Sequence, residues 1–237
     1  MEICPIAHIR SDFSEKFGIP RQSGLVEELT AAVVFEPPYR VPDALRVVFE
    51  PEYRDPSALR GLEGFSHLWL IWEFSQARRE GWSPTVRPPR LGGNKRLGVF
   101  ATRSPFRPNP LGLSCVRLLE IRQDREQGPV LVVAGADLLD GTPIYDIKPY
   151  LPYADCKPEA VGGFASQPKG TDLEVDCPDR LLDCVPEGKR AALLAVLAQD
   201  PRPQYQDDPD RVYGMAFAGL EVKFQVAGER LTVTEIS

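Results

Sequence analysis

Apolar residues in the first half of the chain occur in short runs that end at proline or glycine. Residues 66–74 are apolar on both faces, which is typical of a central β-strand. Shorter runs predict further strands at residues 6–9, 97–102, 113–122 and 129–136. No run of helix length separates them, so the pattern favours a β-barrel or a sandwich over a doubly wound fold.

The second half has a different pattern. Residues 188–199 are rich in alanine and leucine and predict a helix that ends before Pro201. Residues 221–226 and 231–234 alternate apolar and polar positions around Ala227-Gly228, which is typical of a β-hairpin. A linker is expected within 155–175. We therefore expect a mainly β protein with a first domain at 1–156 and a small α+β domain at 170–237.

A tandem duplication interrupts the first half. Residues 33–46 read VVFEPPYRVPDALR and residues 47–60 read VVFEPEYRDPSALR, so eleven of fourteen positions are identical. Two copies are too few to form a solenoid. The duplication therefore predicts a local insertion that lengthens one loop or edge strand.

Composition supports many short elements, because 24 prolines among 237 residues are roughly twice the usual share of about 5%. The densest apolar run, at residues 68–72, is far shorter than a membrane span of about 20 residues. The first residues lack the basic and apolar regions of a signal peptide. Five cysteines, without a Cys-x-x-Cys pair, indicate reduced thiols in a cytoplasmic protein and no zinc site.

The charge is unevenly distributed. The net charge of −6 argues against a nucleic-acid partner, but residues 1–154 are neutral, with 19 basic and 19 acidic side chains. Residues 78–107 hold eight basic side chains and only one acidic one, Glu80. Such a stretch is either a solvated loop with a few structural arginines or a phosphate-binding surface on an otherwise acidic protein.

Common catalytic signatures are missing. The sequence has no glycine-rich dinucleotide fingerprint, no P-loop and no nucleophile elbow. Two histidines, His8 and His67, exclude a histidine-rich metal site. Instead, proline-punctuated polar loops occur at residues 20–25, 87–94, 102–112, 137–143 and 146–150. These loops are either turns of a proline-rich barrel or rigid platforms that present arginines and backbone amides to a ligand.

Long motifs in a fixed order resemble the TsaA/TrmO (YaeB-like) family. They are KFGIPRQSGLV, RGLEGFSHLWLIWEF, PTVRPPRLGGN, GVFATRSPFRPNPLGLS, DLLDGTPIYDIKPYLPYAD and LAQDPRPQY. The resemblance implies a single-sheet β-barrel that binds S-adenosylmethionine without a Rossmann fold. It also implies a homodimeric tRNA methyltransferase that methylates N6 of threonylcarbamoyladenosine (t6A) at position 37, giving m6t6A. The family pattern has room for one copy of the duplication, so residues 33–46 are expected to be the insertion.

Site residues follow from the resemblance, position by position. The cofactor is expected to lie against two loops and the strand ends near them: Ser23, Gly24, Leu25, Ser75, Gln76, Arg103, Leu113, Ala134, Gly135, Ala136 and Asp137. A carboxylate such as Asp137 suits the sulfonium, and Arg103 suits the cofactor's own carboxylate. The tRNA phosphates are expected on Arg87, Arg90, Lys95 and Arg96.

The reacting amine is expected near Asn109, whose amide oxygen offers an acceptor for the N6–H between two prolines that fix its backbone. Arg107 is expected to read the carboxylate of the threonyl group. Alternatively, Asn109 caps a turn and Arg107 binds phosphate.

In the second half, Tyr205 and Arg202 are expected to stack on a loop base and bind a phosphate, or else to form a structural turn. A second hypothesis for the whole chain is a non-catalytic protein of the same fold that binds S-adenosylmethionine or tRNA.

Overall fold

The computed structural model describes residues 3–34, 47–77, 81–88, 91, 94–166, 172–202 and 208–237. The first part is built from nine strands: β1 Ala7–Arg10, β2 Thr30–Val34, β3 Val47–Phe49, β4 His67–Glu73, β5 Thr85–Val86, β6 Leu97–Gly98, β7 Leu111–Asp124, β8 Gly128–Ala134 and β9 Pro143–Pro149. Seven of them close a barrel in the order β1-β2-β3-β8-β7-β4-β9, while β5 and β6 form a separate ribbon. The expected mainly β fold with a single-sheet barrel is confirmed.

In the second part, the described residues form three helices and four strands. The elements are α1 Pro152–Asp155, β10 Glu174–Asp176, α2 Asp179–Leu182, α3 Glu187–Ala198, β11 Tyr213–Phe217, β12 Leu220–Ala227 and β13 Arg230–Ile236. The sheet order is β10-β13-β12-β11, and the helix and hairpin predicted from the sequence are confirmed as α3 and as β12–β13. Within the described ranges, no helix has the length and apolar character needed to cross a membrane.

The sequence pattern predicted the wrong local structure at two places, residues 97–102 and residues 146–150. Residues 97–102 form a strand only as far as Gly98, because a 3-10 turn follows at Val99–Ala101, closed by a hydrogen bond from the Thr102 amide to the Val99 carbonyl (3.1 Å). The polar loop expected at residues 146–150 is wrong, since most of it belongs to β9. Pro143 and Pro149 stand at the first and last positions of that strand. Proline is tolerated at strand ends, so proline there did not mark a loop.

The second copy of the duplicated segment occupies the position beside β8 that a continuous β2 would reach. β2 pairs with β8 at Thr30↔Ala134 and Ala31↔Val133, so an unbroken β2 would bring Val33 opposite Leu131. That place is taken by Val47 of the second copy, which pairs with Leu131. Residues 35–46 lie outside the described ranges. The register fits the expectation that residues 33–46 are the insertion.

Two hydrophobic cores divide the molecule. The barrel interior holds one, which includes Leu68, Leu70, Leu131 and Ile144. The second is formed by α3 and the four-stranded sheet, but it also contains Phe13, Val26 and Leu29 from the start of the chain. The segment 13–29 therefore leaves the barrel, packs in the second core and returns. The domain division at 156 and 170 stays a prediction, with this segment crossing it.

Candidate active site

A cavity of about 570 Å³ opens at one end of the barrel. Its volume lies within the range of small-molecule sites, roughly 300–1,000 Å³. Four stretches of chain supply most of its walls, namely residues 16–22, 72–77, 103–113 and 137–142. Of the predicted cofactor residues, the lining includes Ser75, Gln76, Arg103, Leu113 and Asp137. The predicted reactive residues Asn109 and Arg107 line the same cavity.

The other six predicted cofactor residues, all within the described ranges, do not line the cavity. They are Ser23, Gly24, Leu25, Ala134, Gly135 and Ala136. The Gly24 amide donates to the Gly135 carbonyl at 2.9 Å, and the Ser23 hydroxyl accepts from the Cys115 amide of β7. Both glycines have positive φ, and a Cβ on Gly135 would approach the Gly24 backbone to 3.2 Å. Glycine is therefore required for the two segments to touch.

A line of hydrogen bonds orients Asp137. The Trp72 indole donates to the Ser114 hydroxyl (2.9 Å), and that hydroxyl donates to the Asp137 carboxylate (2.7 Å). Burial raises the pKa of the Asp137 carboxyl, while the Ser114 hydrogen bond and the charge of Arg103 oppose the rise. The carboxylate is thus held in a fixed direction at the cavity wall, where a cation is its natural partner.

A second carboxylate was missed by the sequence analysis. Glu73 ends β4, lines the cavity and is only 5% exposed. The hydroxyl of Tyr145, on the neighbouring strand β9, donates to it at 2.5 Å. Because buried carboxylates are rare without a partner or a role, a lone glutamate at the end of the apolar run 68–72 was the signal available.

The loop 102–112 places three polar side chains at the rim of the cavity. Arg103 donates to the Gln22 side chain across the cavity. Arg107 donates to the Thr102 carbonyl at 3.0 Å and to the Ser104 carbonyl at 3.5 Å, so its guanidinium is held at the rim. The Asn109 side chain is exposed, and within the described part of the chain no hydrogen bond involves its amide. That amide is available to a ligand.

The predicted tRNA contacts are only partly brought together. Arg87 follows β5 and Arg96 precedes β6, and the Val86↔Leu97 pair places them on adjacent strands, with Lys95 next to Arg96 and all three exposed. Arg90 and Tyr205 lie outside the described residues.

Arg202 is only 9% exposed and is paired with Asp200 at 2.9 Å. The Arg202 amide also bonds to the Asp200 side chain. This geometry favours the structural-turn alternative at that position.

Three further features bear on the chemistry. All five cysteines are free. Among the described residues, no group of three or more His, Cys, Asp or Glu side chains is arranged to hold a metal ion. Leu111, Leu113 and Leu119 of β7 are exposed, and the first two of them also line the cavity.

Comparisons with known proteins identify relatives along nearly the whole chain. The family model of the tRNA-methyltransferase O N-terminal domain matches residues 40–156, and that of the TrmO C-terminal domain matches residues 181–237. The tRNA (adenine(37)-N6)-methyltransferase of Escherichia coli (strain K12) is 41% identical over 229 residues, which cover 93% of this chain and 91% of that protein.

Pseudomonas aeruginosa provides two further relatives. A protein whose name refers to S-adenosylmethionine-dependent methyl transfer is 42% identical over 228 residues, covering 93% of this chain and 90% of its own. A crystal structure of TrmO from the same species aligns with a TM-score of 0.73 at 33% identity, covering 100% of this chain and 98% of the other. With both parts matched by family models and its fold shared, this chain belongs to the tRNA-methyltransferase O (TrmO) family of tRNA (adenine(37)-N6)-methyltransferases.

Proposed function

We propose that this protein transfers the methyl group of S-adenosylmethionine to N6 of t6A at position 37 of tRNA, giving m6t6A. The observation that carries the proposal is one cavity that gathers the Asp137 and Glu73 carboxylates, three arginines and an asparagine amide at the end of the barrel. Relatives named as tRNA (adenine(37)-N6)-methyltransferases support the position and the atom. The name of the P. aeruginosa relative refers to S-adenosylmethionine and so supports the cofactor.

The residues present fit S-adenosylmethionine. The cofactor supplies an electrophilic methyl group on a positively charged sulfur. The Asp137 carboxylate, directed by Ser114, is suited to that cation, and Arg103 is suited to the carboxylate of the cofactor's methionine part.

Asn109 and Arg107 are assigned to the nucleic-acid side of the cavity. The Asn109 amide oxygen accepts the N6–H and so orients the weakly nucleophilic nitrogen. Arg107 pairs with the threonyl carboxylate, a group that t6A has and unmodified adenosine lacks. Discrimination then comes from leaving a desolvated guanidinium without its anion when plain adenosine enters.

The decisive experiment incubates the protein with S-adenosylmethionine and two tRNAs, one carrying t6A and one carrying unmodified A37, and analyses the nucleosides by mass spectrometry. We expect one added methyl group on t6A. Cofactor or tRNA binding without methylation would instead identify a non-catalytic protein of the same fold. Methylation of plain adenosine at an equal rate would remove t6A as the preferred substrate.

Two variants assign the roles. Asn109→Ala is expected to lower the methylation rate by roughly 10²-fold, a typical cost for one positioned polar group, with little change in cofactor affinity. Arg107→Ala is expected mainly to reduce the preference for t6A over unmodified tRNA. Normal turnover by Asn109→Ala, or loss of cofactor binding along with activity, would place Asn109 in the scaffold.

We also propose that the protein acts in the cytoplasm as a homodimer. Leu119 of β7 is 44% exposed and does not line the cavity, and a second copy of the chain is the occupant that we assign to this part of the strand. Light scattering is expected to give twice the chain mass of 26.4 kDa. Leu119→Arg is expected to shift the mass towards the monomer, and a monomeric wild type would refute the assignment.

A further inference from the structure

Three aromatic rings stand exposed beside the cavity mouth. Trp82, Phe100 and Phe106 are 53%, 71% and 42% exposed. Phe106 lies between Pro105 and Arg107, which both line the cavity. Single exposed apolar side chains are common, but a group of large ones at one place on the surface marks a site that contacts a partner.

The backbone at Phe100 is held firmly although its ring is exposed. Phe100 follows Val99, which is 1% exposed and bonds to Pro84 through its amide at 2.9 Å. The hydroxyl of Thr102 donates back to the Val99 carbonyl at 2.8 Å. The Phe100 ring is therefore presented from a fixed turn, so little ordering is required when a partner binds.

Aromatic and cationic groups alternate on this surface. The centroids of Trp82 and Phe100 are 6.1 Å apart with their planes 33° from parallel, and the Arg107 guanidinium carbon lies 6.0 Å from the Phe100 centroid. Across residues 81–119 the sequence has seven basic side chains and no acidic one. A partner that fits is negatively charged and offers flat, unpaired rings.

We propose that Trp82, Phe100 and Phe106 form a stacking platform for the unpaired bases that flank the target adenosine in a tRNA anticodon loop. The proposal rests on the proposed function and names the surface that receives the rest of the loop. Single-stranded RNA combines a phosphate backbone with exposed base faces, and aromatic side chains bind such faces with little regard for sequence. Exposed base stacking also explains why apolar rings lie among arginines here.

The first measurement is the affinity of the full chain for a synthetic anticodon stem-loop and for a fully paired duplex of the same stem, at several salt concentrations. Phe100→Ala is expected to weaken stem-loop binding about tenfold, since stacking contributes on that order per base, and to leave duplex binding unchanged. The salt dependence of binding is expected to stay the same, because no phosphate contact is removed. The double variant Lys95→Glu with Arg96→Glu is expected instead to weaken binding to both the stem-loop and the duplex and to reduce the salt dependence.

Matched variants separate stacking from general effects. Phe100→Tyr is expected to keep wild-type affinity, whereas Phe100→Leu is expected to be as weak as Phe100→Ala, because Leu is apolar but has no ring face. Phe164→Ala removes a partly exposed phenylalanine outside the basic stretch and is expected to change nothing. Replacing the bases beside the target adenosine with abasic residues is expected to abolish the difference between wild type and Phe100→Ala.

Each contrary outcome is distinct. Stem-loop binding by Phe100→Ala equal to wild type, or full rescue by Phe100→Leu, would overturn the platform. A change from dimer to monomer in Phe100→Ala would instead assign the rings to contact between copies of the chain. If the wild-type protein binds the loop through Phe100 but methylates no t6A, the proposed function fails and the platform stands.

Discussion

The barrel and the second core contribute to the site in different ways. The barrel, with the loops at its end, supplies the cavity walls, whereas none of the described residues in 172–202 and 208–237 lines the cavity. The second core nevertheless holds Phe13, Val26 and Leu29, which flank the cavity segment around residue 22 on both sides. One part of the molecule thus forms the site, and the other holds a piece of it in place.

Polar contacts reinforce this attachment. Asp12 pairs with Lys189 of α3 at 2.9 Å, with both side chains largely buried. Burial raises the pKa of the Asp12 carboxyl, and the charge of Lys189 opposes the rise. The Arg21 guanidinium donates to the Arg202 carbonyl at 3.1 Å. The loop 20–25 is therefore fixed to the barrel through Gly24 and to the second core through its two ends.

The strongest test of this comparison removes the second core. A chain that ends at Gly163 leaves Phe13, Val26 and Leu29 without their partners, so we expect aggregation and complete loss of S-adenosylmethionine binding. Solubility and calorimetric titration measure both. If this shortened chain methylates tRNA as well as the full chain, the second core is dispensable and the comparison is wrong.

A single substitution tests Phe13, one of the side chains from the start of the chain that pack in the second core. Phe13 is 1% exposed and packs edge-on against Phe217 at 5.7 Å, so Phe13→Ala is expected to lower the free energy of unfolding by about 3–5 kcal/mol and to weaken cofactor binding. Leu193→Ala, in the same core but on α3, is the control. It is expected to reduce stability while changing cofactor affinity less. Equal losses of affinity in the two variants would show a global effect.

The barrel side is tested at Gly112 of β7. A Cβ there would lie 2.3 Å from the Trp72 indole, whose N–H directs Ser114 towards Asp137. Gly112→Ala is therefore expected to cost about 1–3 kcal/mol of stability through overpacking and to weaken cofactor binding by displacing the indole. Thermal melts and titration check it. Unchanged cofactor affinity would mean that Trp72 does not orient the carboxylate.

A subtler test changes the titration of Asp137. Only the ionised carboxylate attracts a sulfonium, so cofactor affinity is expected to fall as the pH drops through the raised pKa of this group. Ser114→Ala removes a hydrogen bond that lowers this pKa, so the fall is expected to begin at a higher pH. Asp137→Asn is expected to bind weakly at every pH. The same pH profile in wild type and Ser114→Ala would remove Asp137 as the counter-ion.

The smallest effect is expected from deleting residues 33–46. Joining Ala32 to Val47 continues β2 into β3 in one register along β8, so the melting temperature and activity are expected to match or exceed those of the full chain. Deleting residues 47–60 instead keeps the first copy and loses Asp55, which caps the turn at Ser57 (2.8 Å). That variant is expected to be less stable by about 1 kcal/mol.

Local sequence predicted much of the secondary structure. The two-sided apolar run at β4, the alternation in β12 and β13, and the alanine- and leucine-rich α3 each carry a periodic pattern within a few residues. The pattern failed at β9, because proline at both strand ends resembled loop punctuation. The motifs shared with a known family provided most of the candidate site, but not Glu73, whose burial depends on the neighbouring strand.

The sequence by itself determined the family, the mainly β composition and the separation between a barrel-forming half and a helix-containing half. Only the tertiary structure decided which side chains meet. Closure of the barrel brings Tyr145 to Glu73 and Ser114 to Asp137, and the long-range packing of Phe13 joins the first residues to the last sheet. Such contacts depend on which distant segments become neighbours in the fold, and a local pattern of polarity does not specify the partner of a segment.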